Sequence, residues 1–221
     1  MGGTLFRAGQ RAELSTQYKS LIVSADLGFS QKSKSTGVAW QNAEEEKPTS
    51  AKYTFADAVF QVAQLLKLQE TATLIVEAPL SVQFGITGNP TPRLPFEQIQ
   101  DIQSGKSVNR FWYIGPGAST LVAAIFFLRR LASLLANGDH QVVLFEGLHT
   151  FKNRRTDHAQ DAAELLQAFQ KGEVVDVTQD GSTEWLSILQ LIEGLSHSAI
   201  PAIVTVTPES AIADIPKPEI P

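Results

Sequence analysis

Four short apolar runs dense in β-branched or aromatic residues punctuate the chain: Leu21 to Leu27, Thr36 to Trp40, Thr73 to Glu77 and Gln141 to Glu146. Runs of this length and make-up predict strands. The first, third and fourth are almost unbroken in apolar residues, as expected of strands covered on both faces in a largely parallel sheet. A Lys- and Ser-rich link, Ser30 to Ser35, suits a hairpin turn between the first two. A further strand around Lys52 to Phe55 would extend that meander after the acidic turn Glu44-Glu45-Glu46-Lys47-Pro48. Helices fill the gaps. Ala56 to Gln69 sets Val59, Val62, Ala63, Leu65 and Leu66 at helical spacing, and Pro116 suits the first turn of a second helix reaching about Ala136. A third helix is expected from Asp157 to Gln170, closed by Lys171-Gly172. Strand and helix in alternation make an α/β fold.

The connection from Ala78 to Gly115 is long for a loop without structure of its own, and such loops often carry function. It reads either as an irregular cover on a sheet edge or as a substrate-facing flap bearing Arg93, Lys106 and Arg110. Beyond Gly172 the pattern predicts a short apolar run, a helix from Thr183 to Leu195, another apolar run from Ala202 to Val206 and a loose Pro-rich end. The resulting division is an N-terminal extension (1–17), a main domain (18–171) with the long loop at 78–115, a C-terminal α/β extension (172–207) and a tail (208–221).

Composition narrows the function classes. With 221 residues, 43% of them hydrophobic, the chain can bury a substantial core. Its formal net charge of -5 is the wrong sign for coating nucleic acid through bulk charge, so any such site must be local. The absence of cysteine removes thiolate zinc sites, disulfides and thiol nucleophiles. Met1 to Gln17 has no secretory apolar core, and the apolar stretch Leu121 to Leu128 stops at Arg129-Arg130, short of the roughly 20 residues that cross a bilayer. The expectation is a cytoplasmic protein without a membrane partner. Gly-x-Ser-x-Gly, Walker lysine and Gly-x-Gly-x-x-Gly motifs are all missing, and His140, His149 and Ser119 form no convincing triad.

The chemical signal is a recurrence: three of the predicted strands end in a carboxylate, Asp26, Glu77 and Glu146. The ends of parallel strands line one edge, where open α/β proteins form their binding crevice. Adjacent strands lie about 4.8 Å apart, close enough for such acids to share an ion. Unaided they would repel and raise one another's pKa, whereas a divalent cation keeps them ionised. After the last strand comes Thr156-Asp157-His158-Ala159-Gln160-Asp161, where His158 and Asp161 share a helix face and Asp157 lies nearby. Oxygen ligands with at most one imidazole suit Mg²⁺ or Mn²⁺, and two such ions would support in-line attack of water on a phosphodiester.

Ser24-Ala25-Asp26-Leu27-Gly28, followed by a hairpin into Gly37-Val38-Ala39-Trp40, resembles the opening of the ribonuclease H-like superfamily. Glu77 in Ile75-Val76-Glu77-Ala78-Pro79 falls where RuvC-type resolvases and their relatives carry a Glu. His158-Ala159-Gln160-Asp161-Ala162-Ala163 is similar to their C-terminal helix motif, and uncharacterised predicted nucleases of the superfamily share the flavour of these segments. The resemblance spans about Leu21 to Gln170. It implies a ribonuclease H-like mixed sheet, an antiparallel three-stranded meander plus parallel strands, flanked by helices. It further implies a metal-dependent nuclease acting on DNA or RNA. Asp26, Glu77 and Asp161 would hold two Mg²⁺ or Mn²⁺ ions, with His158 as a further ligand or water-orienting group, and a homodimer is possible.

Around that core, Lys32, Lys34, Arg93, Arg110, Lys152, Arg154 and Arg155 are candidates for phosphate contacts, although charge runs are commonly just solvated faces. Asp157 joins the candidate ligands but is fully explained as an N-cap, with Gln160 completing a capping box. Glu146 is either a supporting group behind the ligands or a surface acid. Phe111, Trp112 and Tyr113 fit a core better than a base-stacking platform. The rival readings are a non-catalytic ribonuclease H-like binding or assembly module and, with less support, a sugar-kinase or actin-like nucleotide-binding protein.

Overall fold

A computed structural model describes residues 5–14, 20–28, 30, 33–94, 96–100, 107–109, 111–115, 117–149, 157–178, 181–193 and 199–206. In chain order the elements are β1 (Phe6–Ala8), a 3₁₀ turn (Arg11–Glu13), β2 (Leu21–Asp26), β3 (Thr36–Gln41), β4 (Thr49–Tyr53), α1 (Phe55–Leu66), β5 (Thr71–Glu77), β6 (Ser81–Gly85), β7 (Gln98–Gln100) and β8 (Ser107–Asn109). They continue with α2 (Gly117–Leu135), β9 (Gln141–His149), α3 (His158–Gln170), β10 (Val174–Val175), β11 (Thr183–Ser187), α4 (Ile188–Glu193) and β12 (Ile203–Val206).

The main sheet runs β10-β12-β9-β5-β2-β3-β4, with β1 also paired to β9. β2, β3 and β4 form the antiparallel meander, while β2, β5, β9 and β12 run parallel. The expected mixed α/β sheet flanked by helices is therefore present. Because β5 occupies one side of β9 at Ala72↔Val142, β1 must take the other at Phe6↔Val142, and β12 continues that side from Glu146 onward. The segments read as N- and C-terminal extensions thus add β1, β10 and β12 to the same sheet.

Side chains alternate across the sheet, as the two-residue period of a strand requires. Leu21, Val23, Ala25, Val38, Leu74, Val76, Val142 and Leu144 face a core shared with α1 and α2. Ile22, Ala39, Ile75, Val143 and Phe145 face a second core with α3. α1 is capped by Thr54, whose hydroxyl accepts from the Asp57 N–H. α2 is long and apolar enough to span a bilayer by length and composition. Its buried face, including Ala123, Ala124, Phe127, Leu128 and Leu131, instead fills the first core, while Val122 and Phe126 are exposed.

Two expectations fail here for physical reasons. Thr183 to Leu195 is not one helix: its first five residues form β11, antiparallel to β6, before the short α4. Long-range pairing with Ser81–Gly85 overrides the local pattern. The 78–115 connection is likewise no structureless loop, since it holds β6 and the β7–β8 pair. Pro116 and the 208–221 tail lie outside the described residues.

Candidate metal centre

Strand parity decides which polar residues meet. Asp26 follows Ile22 and Ser24 on the α3 side of β2, and Glu77 follows Ile75 on the same side of β5. The two are register partners at the carboxyl ends of adjacent parallel strands. Both are buried, at 4% and 8% exposure. β9 does not stop at Glu146 but runs to His149, and parity gives Glu146 to the opposite face. The third strand therefore contributes His149 to the α3 side instead of a carboxylate.

α3 lies unusually close to the sheet at its start. A Cβ on Gly37 would come within 1.8 Å of the His158 carbonyl oxygen, and one on Gly147 within 2.9 Å of the Leu165 side chain. Ser24 Oγ donates to the Ala162 carbonyl at 2.5 Å, tying β2 to the first turns of α3. Asp157 caps the helix, its carboxylate accepting from the Ala159 N–H at 3.0 Å. It also pairs with Lys52 Nζ at 2.9 Å, and the Lys52 hydrogen bond, followed by that from Ala159, holds its carboxyl below the usual range. The expected capping box is not made: Asp157 accepts from the Ala159 N–H instead of that of Gln160, and the Gln160 side chain donates to Glu164 Oε1 at 2.8 Å instead of reaching back.

This docking brings Asp26, His158 and Asp161 together, with one potential ligand atom from each lying within 4.8 Å of the others. His158 Nδ1 stands 2.7 Å from Asp26 Oδ2. Asp161 is fully buried. His149, Asp161 and Glu164 satisfy the same criterion, so Asp161 belongs to both sets. Glu77 belongs to neither set. Its Oε1 lies 3.1 Å from His149 Nδ1, an ion-pair distance, though the angles make no hydrogen bond. Asp157 is likewise outside both sets, committed to its cap and to Lys52. Two buried carboxylates and a partly exposed imidazole make a donor set that fits a divalent cation.

Arg93 is not positioned to contact phosphate. Its guanidinium is wholly buried, with Nη1 2.9 Å from Glu146 Oε2 and Nη2 3.0 Å from Glu97 Oε1. Glu146 is no surface acid either: it is fully buried and also accepts from the Leu80 N–H at 2.7 Å. Burial pushes the Glu146 carboxyl up, against the pull of Arg93. Burial works to lower the Arg93 pKa, but the Glu146 and Glu97 carboxylates outweigh it and raise the group above its ordinary value. Arg93 thus fastens the segment after β6 to β9. Tyr113 belongs to this packing, its hydroxyl donating to Gln83 O at 2.8 Å or Thr91 O at 2.7 Å, as a core residue would. Lys34 is exposed, whereas Lys32, Lys106, Arg110, Lys152, Arg154 and Arg155 lie outside the described residues.

Sequence reasoning missed His149 and Glu164. A signal for Glu164 was present, because His158, Asp161 and Glu164 recur every three residues along one helical face. His149 was hidden by Gly147, which resembles a strand terminator but sits where a Cβ would press on the Leu165 side chain. Comparison with family models, curated proteins and solved structures finds no match to this chain.

Proposed function

We propose that this protein is a divalent-metal-dependent nuclease with a ribonuclease H-like fold, hydrolysing phosphodiester bonds in DNA or RNA. The observation that carries the reading is the convergence of Asp26, His158 and Asp161 at the carboxyl edge of the parallel strands, within 4.8 Å of one another. Support comes also from the order of elements, an antiparallel meander opening into parallel strands with the Asp at the end of β2. Mg²⁺ or Mn²⁺ held there would supply Lewis-acid activation of water and charge stabilisation of the leaving oxygen.

The chain's own residues supply the rest. Asp26 and Asp161 offer carboxylate oxygens from two rigid elements, which limits the reorganisation that catalysis would require. An ionised Asp26 can only accept a hydrogen bond, so its partner His158 Nδ1 carries the proton and a neutral ring keeps its lone pair on Nε2. In this reading Glu77 acts on the centre through His149 as well as through its own charge. Lys34, exposed just before β3, is the residue this reading offers to a backbone phosphate.

The test is cleavage of a panel of single-stranded, duplex and branched oligonucleotides with Mn²⁺ or Mg²⁺. Asp26→Asn and Glu77→Gln should each abolish cleavage while leaving the circular dichroism spectrum intact; unchanged cleavage in both refutes the assignment. One observation favours a second reading, a non-catalytic module of the same fold: the 2.7 Å contact between His158 and Asp26 closes that pair without an ion. Nucleic-acid binding that is indifferent to metal and to Asp26→Asn would support that reading.

A further inference from the structure

We infer that His149, Asp161 and Glu164 form a second divalent-cation site, distinct from the Asp26 centre and sharing Asp161 with it, for which Mn²⁺ and Zn²⁺ are the probes. It rests on the nuclease reading only in that both sets use Asp161. The cluster itself is two carboxylates and an imidazole with ligand atoms within 4.8 Å of one another. A second observation makes it more than a group of polar residues. The His149 side chain is 3% exposed, and neither ring nitrogen makes a hydrogen bond. Burying an imidazole with both nitrogens unsatisfied is costly, and a ligated ion removes that cost.

The two faces of the ring are differently occupied. Nε2 lies 3.8 Å from Glu164 Oε2, too far for a hydrogen bond. Two ligands each about 2.1 Å from one ion stand roughly 3 to 4 Å apart, and this separation falls in that range. Nδ1 faces Glu77 Oε1 at 3.1 Å. A ligating histidine ordinarily turns its other nitrogen to a carboxylate, which fixes the tautomer and raises ligand basicity. Glu77 lies on that side of the ring, at ion-pair distance but without hydrogen-bond geometry. Gln160 donates to Glu164 Oε1 at 2.8 Å, and Oε2 is the oxygen on the His149 side. Two carboxylates and one imidazole, the same donor types as at the Asp26 centre, suit a divalent ion such as Mn²⁺.

The experiment counts Mn²⁺ bound to the full-length chain by electron paramagnetic resonance of the free ion, comparing wild type with His149→Gln, Glu164→Gln and Asp26→Asn. Glu164 is partly exposed, so its variant keeps the fold accessible if the histidine variant fails to fold. The expected counts are two ions for wild type and one for each variant. In the unmutated protein, Zn²⁺ should also move the His149 ring to the Nδ1–H tautomer in long-range ¹H–¹⁵N spectra. Equal counts in wild type, His149→Gln and Glu164→Gln, with no His149 ring shift, overturn the site. If only Asp26→Asn loses an ion, this inference falls and the Asp26 centre stands. If only the His149 and Glu164 variants lose one, the site stands and the Asp26 centre falls.

Discussion

Replacing Arg93 by Met separates a structural cation from a phosphate ligand. The guanidinium has no exposed surface and carries two carboxylates, Glu146 at 0% and Glu97 at 1% exposure. Removing it strands both acids in the interior, and breaking a buried ion pair from one side costs about 3 to 5 kcal/mol. Domains are commonly stable by only about 5 to 15 kcal/mol, so the loss consumes a large share. At about 2 to 4 °C per kcal/mol for a chain of this size, the midpoint should fall by roughly 6 to 20 °C. The assay is thermal unfolding at matched protein concentration, with urea unfolding at constant slope giving the loss in kcal/mol. Arg93→Met/Glu146→Gln should recover part of the loss, since the second change removes a stranded charge.

The pH dependence has a definite sign. Without Arg93, burial still raises the Glu146 pKa and its main counterweight is gone. A folded-state pKa above the unfolded one means the folded chain binds the extra proton, so stability falls as pH rises through that window. The deficit of Arg93→Met relative to wild type should therefore be largest at neutral pH and shrink toward the unfolded carboxyl pKa. A variant within about 0.5 kcal/mol of wild type, the ordinary range of surface substitutions, that had lost nucleic-acid affinity would refute the buried-pair argument.

Gly37→Ala should destabilise the fold by about 1 to 3 kcal/mol and weaken Mn²⁺ binding, because the new methyl meets the His158 carbonyl; calorimetry of both checks it. Asp157→Asn should narrow its difference from wild type as pH falls, since the depressed Asp157 pKa gives stability above the unfolded value that is lost on protonation; paired urea curves across the acid range test this. Tyr113, pushed up to about 12 by burial and then by Glu97, should ionise late; Tyr113→Phe should remove only the highest-pH step from the absorbance titration of the three tyrosines.

Apolar periodicity alone located β2, β3, β5 and α1 to within two or three residues and the meander order, because those elements bury whole runs of Val, Ile and Leu. It also put Asp26, Glu77 and Glu146 on one edge, to which the helix-start motif added His158 and Asp161. What local pattern does not encode is which face a strand's last residues serve. Glu146 looked equivalent to Asp26 and Glu77, yet β9 continues past it and its parity sends it to Arg93, a partner 53 positions away. β11 was misread for a related reason: its strand conformation depends on pairing with β6, about a hundred residues earlier.

The way β9 is flanked has a practical consequence. β1 and β12 lie end to end along one side of it, and Gly9 marks their joint, donating to Leu144 O at 2.8 Å and accepting from Ala202 N at 2.9 Å. Neither segment alone covers that side. Trimming either one would leave a row of unsatisfied amides and carbonyls on a strand whose neighbours are strongly apolar, a template for pairing with other chains. What resemble dispensable extensions at the two ends of the sheet-forming region are, in this architecture, a guard against self-association.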